Sequence, residues 1–435
     1  MIVLISAIVP RNLDRCHFRC MIVHKKACES RIACQYVQGK LAAQLRRYDR
    51  HVEFTYNPEY GDKRAEHHGH AVATTLPISA EPIVTPGRSV PTYFAGLLPE
   101  GRRLTALRTH LKTSTDDDFT MLLAVGADPI GDVQVVPRGE PCPAFGDPAH
   151  DSGARGRPSL ADISFRDLFA ATIGGSPDSH GVAGLQDKVS GRMISVPINV
   201  SNGSAHILKL DPPEFPHLVR NEAFFLTMAA ECRLRTAKWT LVKDRDGRDG
   251  LLVERFDRLA GSNGSVLAFA CEDGCQFSNR YPADKYALDT ESLISTASAL
   301  CAARAVGAVT LLRQLAFAIV TGNGDLHAKN MSLLRVNGEW RVSPSYDLPS
   351  SAPYGDRTLA VPIKGRTNGQ ISRRRFLALA ATLGVYERAA VAMLDELLAN
   401  VQPWIDRLHE LPFDQRLIRD LRRLMIQRHK LLASP

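Results

Sequence analysis

Two kinds of hydrophobic periodicity divide this chain of 435 residues. Before about residue 285, apolar residues come in short runs that often alternate with polar ones, a pattern typical of β-strands. Beyond that point they recur every three or four residues, which indicates helices. The predicted helices cover residues 290–304, 308–320, 373–383, 387–401 and 412–432. The change from strands to helices predicts an α+β protein with a small mixed lobe and a larger helical lobe.

The strand-rich part is itself divided by a linker. Residues 139–158 are rich in proline and glycine and poor in large apolar side chains, as expected of a linker or a long surface loop. We therefore predict an N-terminal mixed α/β subdomain at residues 31–138. Its predicted strands include residues 32–38, 52–56 and 71–76. The other predicted units are a poorly ordered extension at 1–30, a small lobe at 159–256 and a large lobe at 257–435.

Composition and charge change this picture only slightly. A hydrophobic content of 44% and a charged content of 23% describe an ordinary globular protein. The formal net charge of +8 favours an anionic partner, such as a nucleotide, a nucleic acid or an acidic protein. Nine cysteines without the spacing of a disulfide framework favour a reduced, cytoplasmic setting. The most apolar charge-free run, at residues 1–10, is too short to span a membrane, so no membrane association is predicted.

The clearest chemical signal is the segment TGNGDLHAKN at residues 321–330. Phosphoryl transfer by kinases requires an Asp that accepts the proton of the acceptor hydroxyl, an Asn five residues later that helps hold Mg²⁺, and a second metal-binding Asp. Asp325, Asn330 and Asp347 fit these three roles. An Asn-Gly pair at 337–338, flanked by strand-like residues, predicts a hairpin that can return Asp347 to the other two.

Two other segments are typical of phosphate-binding elements. A glycine-rich stretch ends in Lys188, and small residues allow backbone N–H groups to approach phosphate oxygens closely. The strand pattern AHILKL carries Lys209 inside an apolar run, where a lysine is either a phosphate ligand or a residue that protects an edge strand. Glu222 lies near the start of the next predicted helix. A lysine on a strand paired with a glutamate on the next helix is what kinases use to place the α- and β-phosphates.

A family resemblance emerges from the order of these motifs. YFAGLLPEG, GVAGLQDK, HILKL, NEAFF, VERFDR, EDGCQF, GDLHAKN and SYD follow one another as they do in the HipA-like toxin kinases of bacterial toxin–antitoxin modules, and the resemblance covers roughly residues 31–430. It implies a protein-kinase-like bilobal fold with an additional N-terminal subdomain, ATP and Mg²⁺ as cofactors, and phosphorylation of serine or threonine in the translation machinery. In the best-known case the substrate is glutamyl-tRNA synthetase. The implied partner is a small DNA-binding antitoxin, through which operator DNA is bound.

The resemblance also implies roles for individual residues. Asp325 would be the catalytic base, and Asn330 and Asp347 would be the metal ligands. The residues implied in nucleotide binding are Ala183, Gly184, Leu185, Gln186, Asp187, Lys188, Lys209, Glu254, Arg255, Phe256, His327, Ala328, Lys329, Asn330, Tyr346 and Asp347. One departure concerns the serine that is often autophosphorylated in this family, because Gly181 stands at that position. Either Ser176 or Ser179 takes over that role, or this regulation is missing.

Two other functions fit parts of the sequence. The spacing from Gly-Asp-Leu-His to the following Asn also resembles small-molecule kinases of the aminoglycoside and choline kinase type, although the LLPEG segment and the N-terminal subdomain argue against them. A catalytically silent co-repressor is the second alternative, and basic stretches at 364–375 and 416–430 could contact nucleic-acid phosphates. Against it, the residues expected for catalysis are all present.

Overall fold

The computed structural model describes residues 31–61, 69–145, 160–173, 194–199, 205–261 and 265–434. The predicted extension at 1–30 and most of the predicted linker lie outside these ranges. The described part contains an N-terminal domain, a small lobe and a helical large lobe, each with its own secondary structure. The predicted α+β class is confirmed.

The N-terminal domain is built on one antiparallel sheet. Its strands are β1 Ile32–Val37, β2 Lys40–Arg47, β3 His51–Tyr56, β4 Ile83–Pro86 and β5 Val133–Pro137. They are ordered β4-β3-β2-β1-β5. Its helices are α1 Pro58–Gly61, α2 Thr92–Gly96, α3 Gly101–Leu111 and α4 Asp118–Val125. The buried rings of Phe54, Phe94 and Phe119 belong to a separate hydrophobic core between this sheet and the helices.

Two features of this sheet differ from the sequence prediction. The strand predicted at 71–76 is wrong, because the chain turns there and makes a single bridge between Ala73 and Leu76. The central strand β2 went unrecognised because its sequence, KLAAQLRR, is rich in residue types that are rare in strands. Its buried positions Ala42, Ala43 and Leu45 are nevertheless fully covered by the neighbouring layers, so tertiary packing overrides the local preference.

The small lobe contains a four-stranded antiparallel sheet. Its strands are β6 Ile194–Asn199, β7 Ala205–Leu210, β8 Trp239–Lys243 and β9 Asp249–Glu254. They are ordered β6-β7-β9-β8, so β7 is an inner strand. Two helices accompany the sheet, α5 Phe165–Ile173 and α6 Leu218–Glu231. Helix α6 buries Phe225, Leu226 and Met228 in the hydrophobic core that the small and large lobes share.

The large lobe is mostly helical. Its helices are α7 Gly274–Phe277, α8 Thr290–Leu300, α9 Arg304–Thr321, α10 Arg373–Thr382, α11 Glu387–Asp406 and α12 Gln415–Ala433. Its strands are β10 Arg258–Ala260, β11 Val266–Ala268, β12 Cys271–Asp273, β13 Ser332–Val336 and β14 Glu339–Val342. The five helices predicted from periodicity are confirmed with shifted ends. The predicted hairpin is also confirmed, since β13 and β14 pair around Asn337 and Gly338, whose φ angles of 52° and 81° suit the tight turn.

Helix α9 is long and apolar enough to cross a membrane by length and composition alone. In this fold it is a core helix, because 67% of its apolar window is buried inside the protein. Its side chains pack in the large-lobe core together with those of α8, α11 and α12. The end of this helix leads directly into the TGNGDLHAKN segment, so the core fixes where that segment begins.

A buried charge cluster joins the N-terminal domain to the end of the small-lobe sheet. The Asp257 carboxylate accepts hydrogen bonds from Arg255, from Arg258 at 2.8 Å and from the backbone N–H of Gly131 at 2.9 Å. Both guanidinium groups also contact Asp128 of the N-terminal domain. Burial raises the pKa of Asp257, but the two guanidinium groups outweigh it and lower the value to about 2. The carboxylate is therefore charged and holds two buried cations.

Replacing Asp257 by Ala is expected to destabilise the protein by about 3–5 kcal/mol, because it leaves buried cations without their partner. Urea unfolding of the two proteins measures this difference. Asp249→Ala is the matched control, since Asp249 pairs with Arg220 and Lys243, which are largely exposed, and such pairs contribute about 1 kcal/mol or less. Equal losses in the two variants would contradict the structural role of the Asp257 cluster.

A second junction depends on Glu272, which is buried in β12. Its carboxylate accepts hydrogen bonds from the backbone N–H of Thr74 at 2.7 Å and from the Thr74 hydroxyl at 2.6 Å. Burial, assisted by the nearby Asp273 and Asp132 carboxylates, raises the pKa of Glu272 from 4.5 to about 7 although the Thr74 hydrogen bonds oppose the shift. In the folded protein this side chain therefore binds a proton over a pH range in which the unfolded chain has lost it.

We expect the ionisation of Glu272 to lower the free energy of unfolding by about 3 kcal/mol as the pH rises from about 4.5 to about 7. A raised carboxyl pKa means that the folded state binds more protons in that window, so the loss occurs on the alkaline side. Glu272→Gln keeps an oxygen acceptor for Thr74 and carries no charge. In urea unfolding, the free energy of unfolding of the variant should equal that of the wild type at about pH 5 and exceed it at about pH 8. A constant difference across this range would contradict the assignment.

Candidate active site

The small and large lobes meet at a buried lysine. Lys209 lies on the inner strand β7, and its ammonium group donates to Glu222 Oε1 of α6 at 2.6 Å and to the carboxylate of Asp347 from the large lobe. Burial lowers the pKa of Lys209, but the two carboxylates outweigh it and raise the pKa well above its ordinary value. Burial raises the pKa of Glu222. A permanently charged amine therefore lies between two acidic side chains, one from each lobe.

Asp347 has an unusual backbone conformation. Its φ of 52° lies in the left-handed region, which non-glycine residues rarely adopt. Its carbonyl oxygen accepts a hydrogen bond from the side chain of Asn323 at 3.4 Å, and Leu348 beside it is completely buried. Strained conformations of this kind persist where the surrounding structure fixes them, often at functional sites.

The segment DLHAKN at residues 325–330, the DLHAKN loop, is held by hydrogen bonds that start at the end of α9. That helix ends at Thr321, and the next residue, Gly322, caps it in the left-handed conformation with a φ of 71°. The side chain of Asn323 then accepts the backbone N–H of Asp325 at 2.8 Å. The amide nitrogen of Asn330 closes the loop by donating to the carbonyl oxygen of Asp325 at 2.9 Å. Asn323 therefore contacts both Asp325 and Asp347, which brings the two predicted acidic residues to one place.

A cleft of about 350 Å³ opens beside this network, and its walls come from all three parts of the protein. Of the residues predicted to bind nucleotide, those along the cleft are Lys209, Glu254, Arg255, Phe256, His327, Lys329, Asn330, Tyr346 and Asp347. The rings of Phe256 and Tyr346 lie 5.7 Å apart and give the cleft an aromatic part. Asp325 is buried next to these residues and is not itself among the lining residues. Its carbonyl oxygen accepts hydrogen bonds from the side chain of Asn330 and from the backbone N–H of His327.

His327 presents an uncharged ring to the cleft. Burial, together with the neighbouring Lys285 ammonium group, lowers the pKa of His327 to about 3, so that the ring is neutral at physiological pH. Among the described residues, its buried Nδ1 atom has no hydrogen-bond partner. A buried polar atom without a partner is unfavourable, and a bound ligand with a suitable donor or acceptor would satisfy it.

Asn330 and Asp347 suit a Mg²⁺ ion that takes some of its oxygen ligands from the protein and the others from a bound nucleotide. The amide nitrogen of Asn330 is used by Asp325, so the amide oxygen is the atom that can bind a cation. Mg²⁺ takes oxygen ligands and is usually held by one or two protein side chains plus substrate phosphates. Within the described ranges there is no group of three His, Cys, Asp or Glu side chains that could hold a metal ion.

Two of the residues predicted to bind nucleotide are committed to contacts inside the protein. Lys329 donates to Asp273 at 2.7 Å and to the carbonyl oxygen of Gly96 at 3.1 Å. The Arg255 guanidinium group lies in the Asp257 cluster. The backbone N–H of Arg255 donates to the carbonyl oxygen of Ala205, and the carbonyl oxygen of Arg255 accepts the backbone N–H of Arg258. The geometry therefore gives their side chains a role in joining the domains, while nucleotide contact by Lys329 and Arg255 stays a prediction.

The remaining predicted residues divide into two groups. Ala328 is buried in the DLHAKN loop, and its backbone N–H donates to the carbonyl oxygen of Lys285 at 3.2 Å. The predicted nucleotide loop at 183–188 lies outside the described residues, and so do Ser176, Ser179 and Gly181. Their roles stay predictions.

Three residues near the site were not identified from the sequence. The hydroxyl of Tyr286 donates to Asp325 Oδ1 at 3.2 Å, and the Lys285 ammonium group contacts Glu100 Oε2 at 2.6 Å. Glu100 directly precedes α3, yet its side chain makes no capping hydrogen bond to that helix. These contacts join distant parts of the chain, so only an analysis of correlated changes among relatives could have found them.

Comparison with known proteins gives consistent results for both halves of the chain. The model of the HipA-like C-terminal domain matches residues 180–405, and that of the HipA N-terminal domain matches residues 35–136. The chain is 29% identical over 334 residues to the Y4mE protein of Sinorhizobium fredii, which carries a kinase name; the match covers 73% of this chain and 77% of the relative. It is 25% identical over 313 residues to the serine/threonine-protein kinase toxin HipA of Shewanella oneidensis. That match covers 66% of this chain and 68% of the relative.

The fold is similar to a solved structure from Shewanella oneidensis MR-1, a complex of HipA, HipB and operator DNA. The TM-score is 0.71, and the match covers 92% of this chain and 96% of that chain at 18% identity. At this identity the likeness concerns the fold. It agrees with a kinase-like arrangement of two lobes preceded by an additional N-terminal domain.

Proposed function

Since this chain belongs to the HipA-like family, we propose that it is an ATP-dependent serine/threonine protein kinase and the toxin of a toxin–antitoxin module. The observation that carries this proposal is the buried contact of Lys209 with Glu222 and Asp347. It combines the lysine–glutamate pair of kinases with a metal-binding type of aspartate, at a cleft that the DLHAKN loop also borders.

Each residue has a defined task in this proposal. Lys209 binds the α- and β-phosphates of ATP, while Asn330 and Asp347 would hold a Mg²⁺ ion, which would neutralise phosphate charge. Asp325 accepts the proton of a serine or threonine hydroxyl. The hydroxyl oxygen then bonds to the γ-phosphorus as the bond from that phosphorus to ADP breaks. The aromatic pair of Phe256 and Tyr346 provides a surface against which adenine can stack.

The proposal extends to partners by analogy with the relatives. HipA of Shewanella oneidensis is a toxin that was solved together with HipB and operator DNA. We infer that this chain likewise binds a small DNA-binding antitoxin in the cytoplasm and reaches operator DNA through that complex. Its substrate would be a protein of the translation machinery, for which an aminoacyl-tRNA synthetase such as glutamyl-tRNA synthetase is the first candidate.

Incubation of the purified protein with Mg²⁺, γ-labelled ATP and a bacterial cell extract tests the proposal. Label on serine or threonine of proteins is the expected result, and purified glutamyl-tRNA synthetase tests the candidate substrate directly. Label that appears only on metabolites would instead support a small-molecule kinase. No transfer at all, together with intact operator binding beside the antitoxin, would support a silent co-repressor.

A further inference from the structure

We propose that Tyr286 is a positioning residue for the Asp325 carboxylate, and that Glu100 of the N-terminal domain fixes Tyr286 through Lys285. The inference rests on the proposed kinase function and adds a further part to its site. It means that the N-terminal domain completes the catalytic machinery, whereas the two lobes alone would hold the proton acceptor loosely.

The first link is the hydrogen bond from the Tyr286 hydroxyl to Asp325 Oδ1, at 3.2 Å. A phenol is a neutral donor, so it can orient a carboxylate without neutralising its charge. A proton acceptor in the wrong orientation costs much of the rate, because proton transfer needs heavy atoms within hydrogen-bond distance in the reacting complex.

The second link holds the Tyr286 side chain against the DLHAKN loop. Its ring contacts the His327 ring edge-on, with centroids 5.2 Å apart and an interplanar angle of 71°. The carbonyl oxygen of Lys285 accepts the backbone N–H of Ala328 at 3.2 Å. Side chain and backbone of the Lys285–Tyr286 pair therefore both contact the same loop that carries Asp325.

The third link connects this pair to the N-terminal domain. The Lys285 ammonium group lies 2.6 Å from Glu100 Oε2 and 5.3 Å from the centre of the Tyr286 ring. Burial raises the pKa of Glu100, but the Lys329 and Lys285 ammonium groups outweigh it and lower the value to about 2. Glu100 is thus a stable anion that holds Lys285 above the tyrosine ring, a cation–aromatic contact that restrains both.

The start of α3 is well placed for such a role because it contacts both lobes at the cleft. Glu100 binds Lys285 of the large lobe, whereas Arg103 donates to the carbonyl oxygen of Ser195 in β6 at 2.6 Å. Glu100 and Arg103 both border the cleft. One turn of one helix therefore connects the small-lobe sheet to the residues around Asp325.

Tyr286→Phe is the direct test, because it removes the hydroxyl and keeps the ring against His327. We expect the initial rate of label transfer from γ-labelled ATP to extract proteins to fall by about tenfold or more at saturating ATP. The ATP concentration for half-maximal rate and the thermal unfolding midpoint should change little. Tyr281→Phe is the matched control, since the Tyr281 hydroxyl binds the carbonyl oxygen of Val90, away from Asp325.

The link to Glu100 is tested with Glu100→Gln, alone and combined with Tyr286→Phe. Alone, Glu100→Gln should lower the transfer rate. In the Tyr286→Phe background it should have little further effect, because Glu100 acts through the tyrosine hydroxyl and coupled residues are not additive. Because Glu100 is the anionic partner of two largely buried ammonium groups, its loss lowers the unfolding midpoint in either case. Additive losses of transfer rate in the double variant would indicate a purely structural salt bridge, and that result would overturn the link.

The outcomes separate this inference from the proposed function. If the wild-type protein labels proteins and Tyr286→Phe does so at the same rate, the positioning role of Tyr286 is wrong while the kinase function stands. If the wild-type protein transfers no phosphate to protein under any of these conditions, the kinase function fails, and the positioning role fails with it.

Discussion

Asp325→Asn should lower the rate of phosphate transfer to protein by about a hundredfold or more, because the amide cannot accept the proton of the acceptor hydroxyl. The side chain keeps its size and an oxygen acceptor for the Tyr286 hydroxyl. The backbone N–H of this residue donates to the side chain of Asn323, and its carbonyl oxygen accepts from Asn330 and His327, so these hydrogen bonds do not involve the carboxylate. The fold and the ATP site should therefore survive the substitution, and the loss should appear in the maximal rate.

Transfer of label from γ-labelled ATP, together with ATP affinity and thermal unfolding, measures these effects. Asp420→Asn is the matched control, since Asp420 lies on α12 and pairs with an exposed Arg423. If the protein is a toxin, expression of Asp325→Asn without the antitoxin should no longer inhibit growth. A variant that transfers phosphate at the wild-type rate would remove Asp325 from the mechanism.

The parts of the site that the sequence predicted share one property. The spacing from Asp325 to Asn330 is the one that phosphoryl transfer by kinases requires, and it lies within one short loop. The return of Asp347 follows from a hairpin whose Asn-Gly turn is a local signal. The pairing of Lys209 with Glu222 links a strand to the helix that follows it. Each of these features can be recognised from residues that are close in sequence.

The parts that escaped prediction are contacts between segments far apart in the chain. Nothing near Glu100 indicates that it binds Lys285, and nothing near Tyr286 indicates that it reaches Asp325. Likewise, the family resemblance implies a role in nucleotide binding for Arg255 but gives no indication of where its side chain lies. The guanidinium group belongs to the Asp257 cluster, a pairing that depends on how the N-terminal domain docks.

One of the motifs that identify the family, EDGCQF, also forms part of the junction between the N-terminal domain and the large lobe. In EDGCQF, Glu272 binds Thr74, Asp273 binds Lys329, and Gln276 donates to the carbonyl oxygen of Tyr93 at 2.9 Å. In the same motif, a side chain at Gly274 would lie 2.4 Å from the carbonyl oxygen of Ala328, so only glycine allows this approach to the DLHAKN loop. The junction and the loop are thus packed as one unit.

Lys209→Met should affect both activity and stability. Phosphate transfer should fall by about a hundredfold or more, because the cation that would bind the α- and β-phosphates is lost. The free energy of unfolding should also fall, by about 3–5 kcal/mol, since removing one partner of a buried pair leaves the other uncompensated. That other partner is Glu222, whose side chain is only 1% exposed, whereas the Asp347 side chain is 26% exposed and can be hydrated.

A second substitution separates the two effects. Adding Glu222→Gln to Lys209→Met removes the buried charge, so that the double variant should regain much of the lost stability in urea unfolding and none of the lost transfer. Lys238→Met is the control, because Lys238 is 82% exposed and pairs loosely with Glu254 at 3.4 Å. Recovery of phosphate transfer in the double variant would mean that Lys209 only neutralises Glu222 and Asp347. If the double variant regains stability but still transfers no phosphate, direct binding of the phosphates by Lys209 is supported.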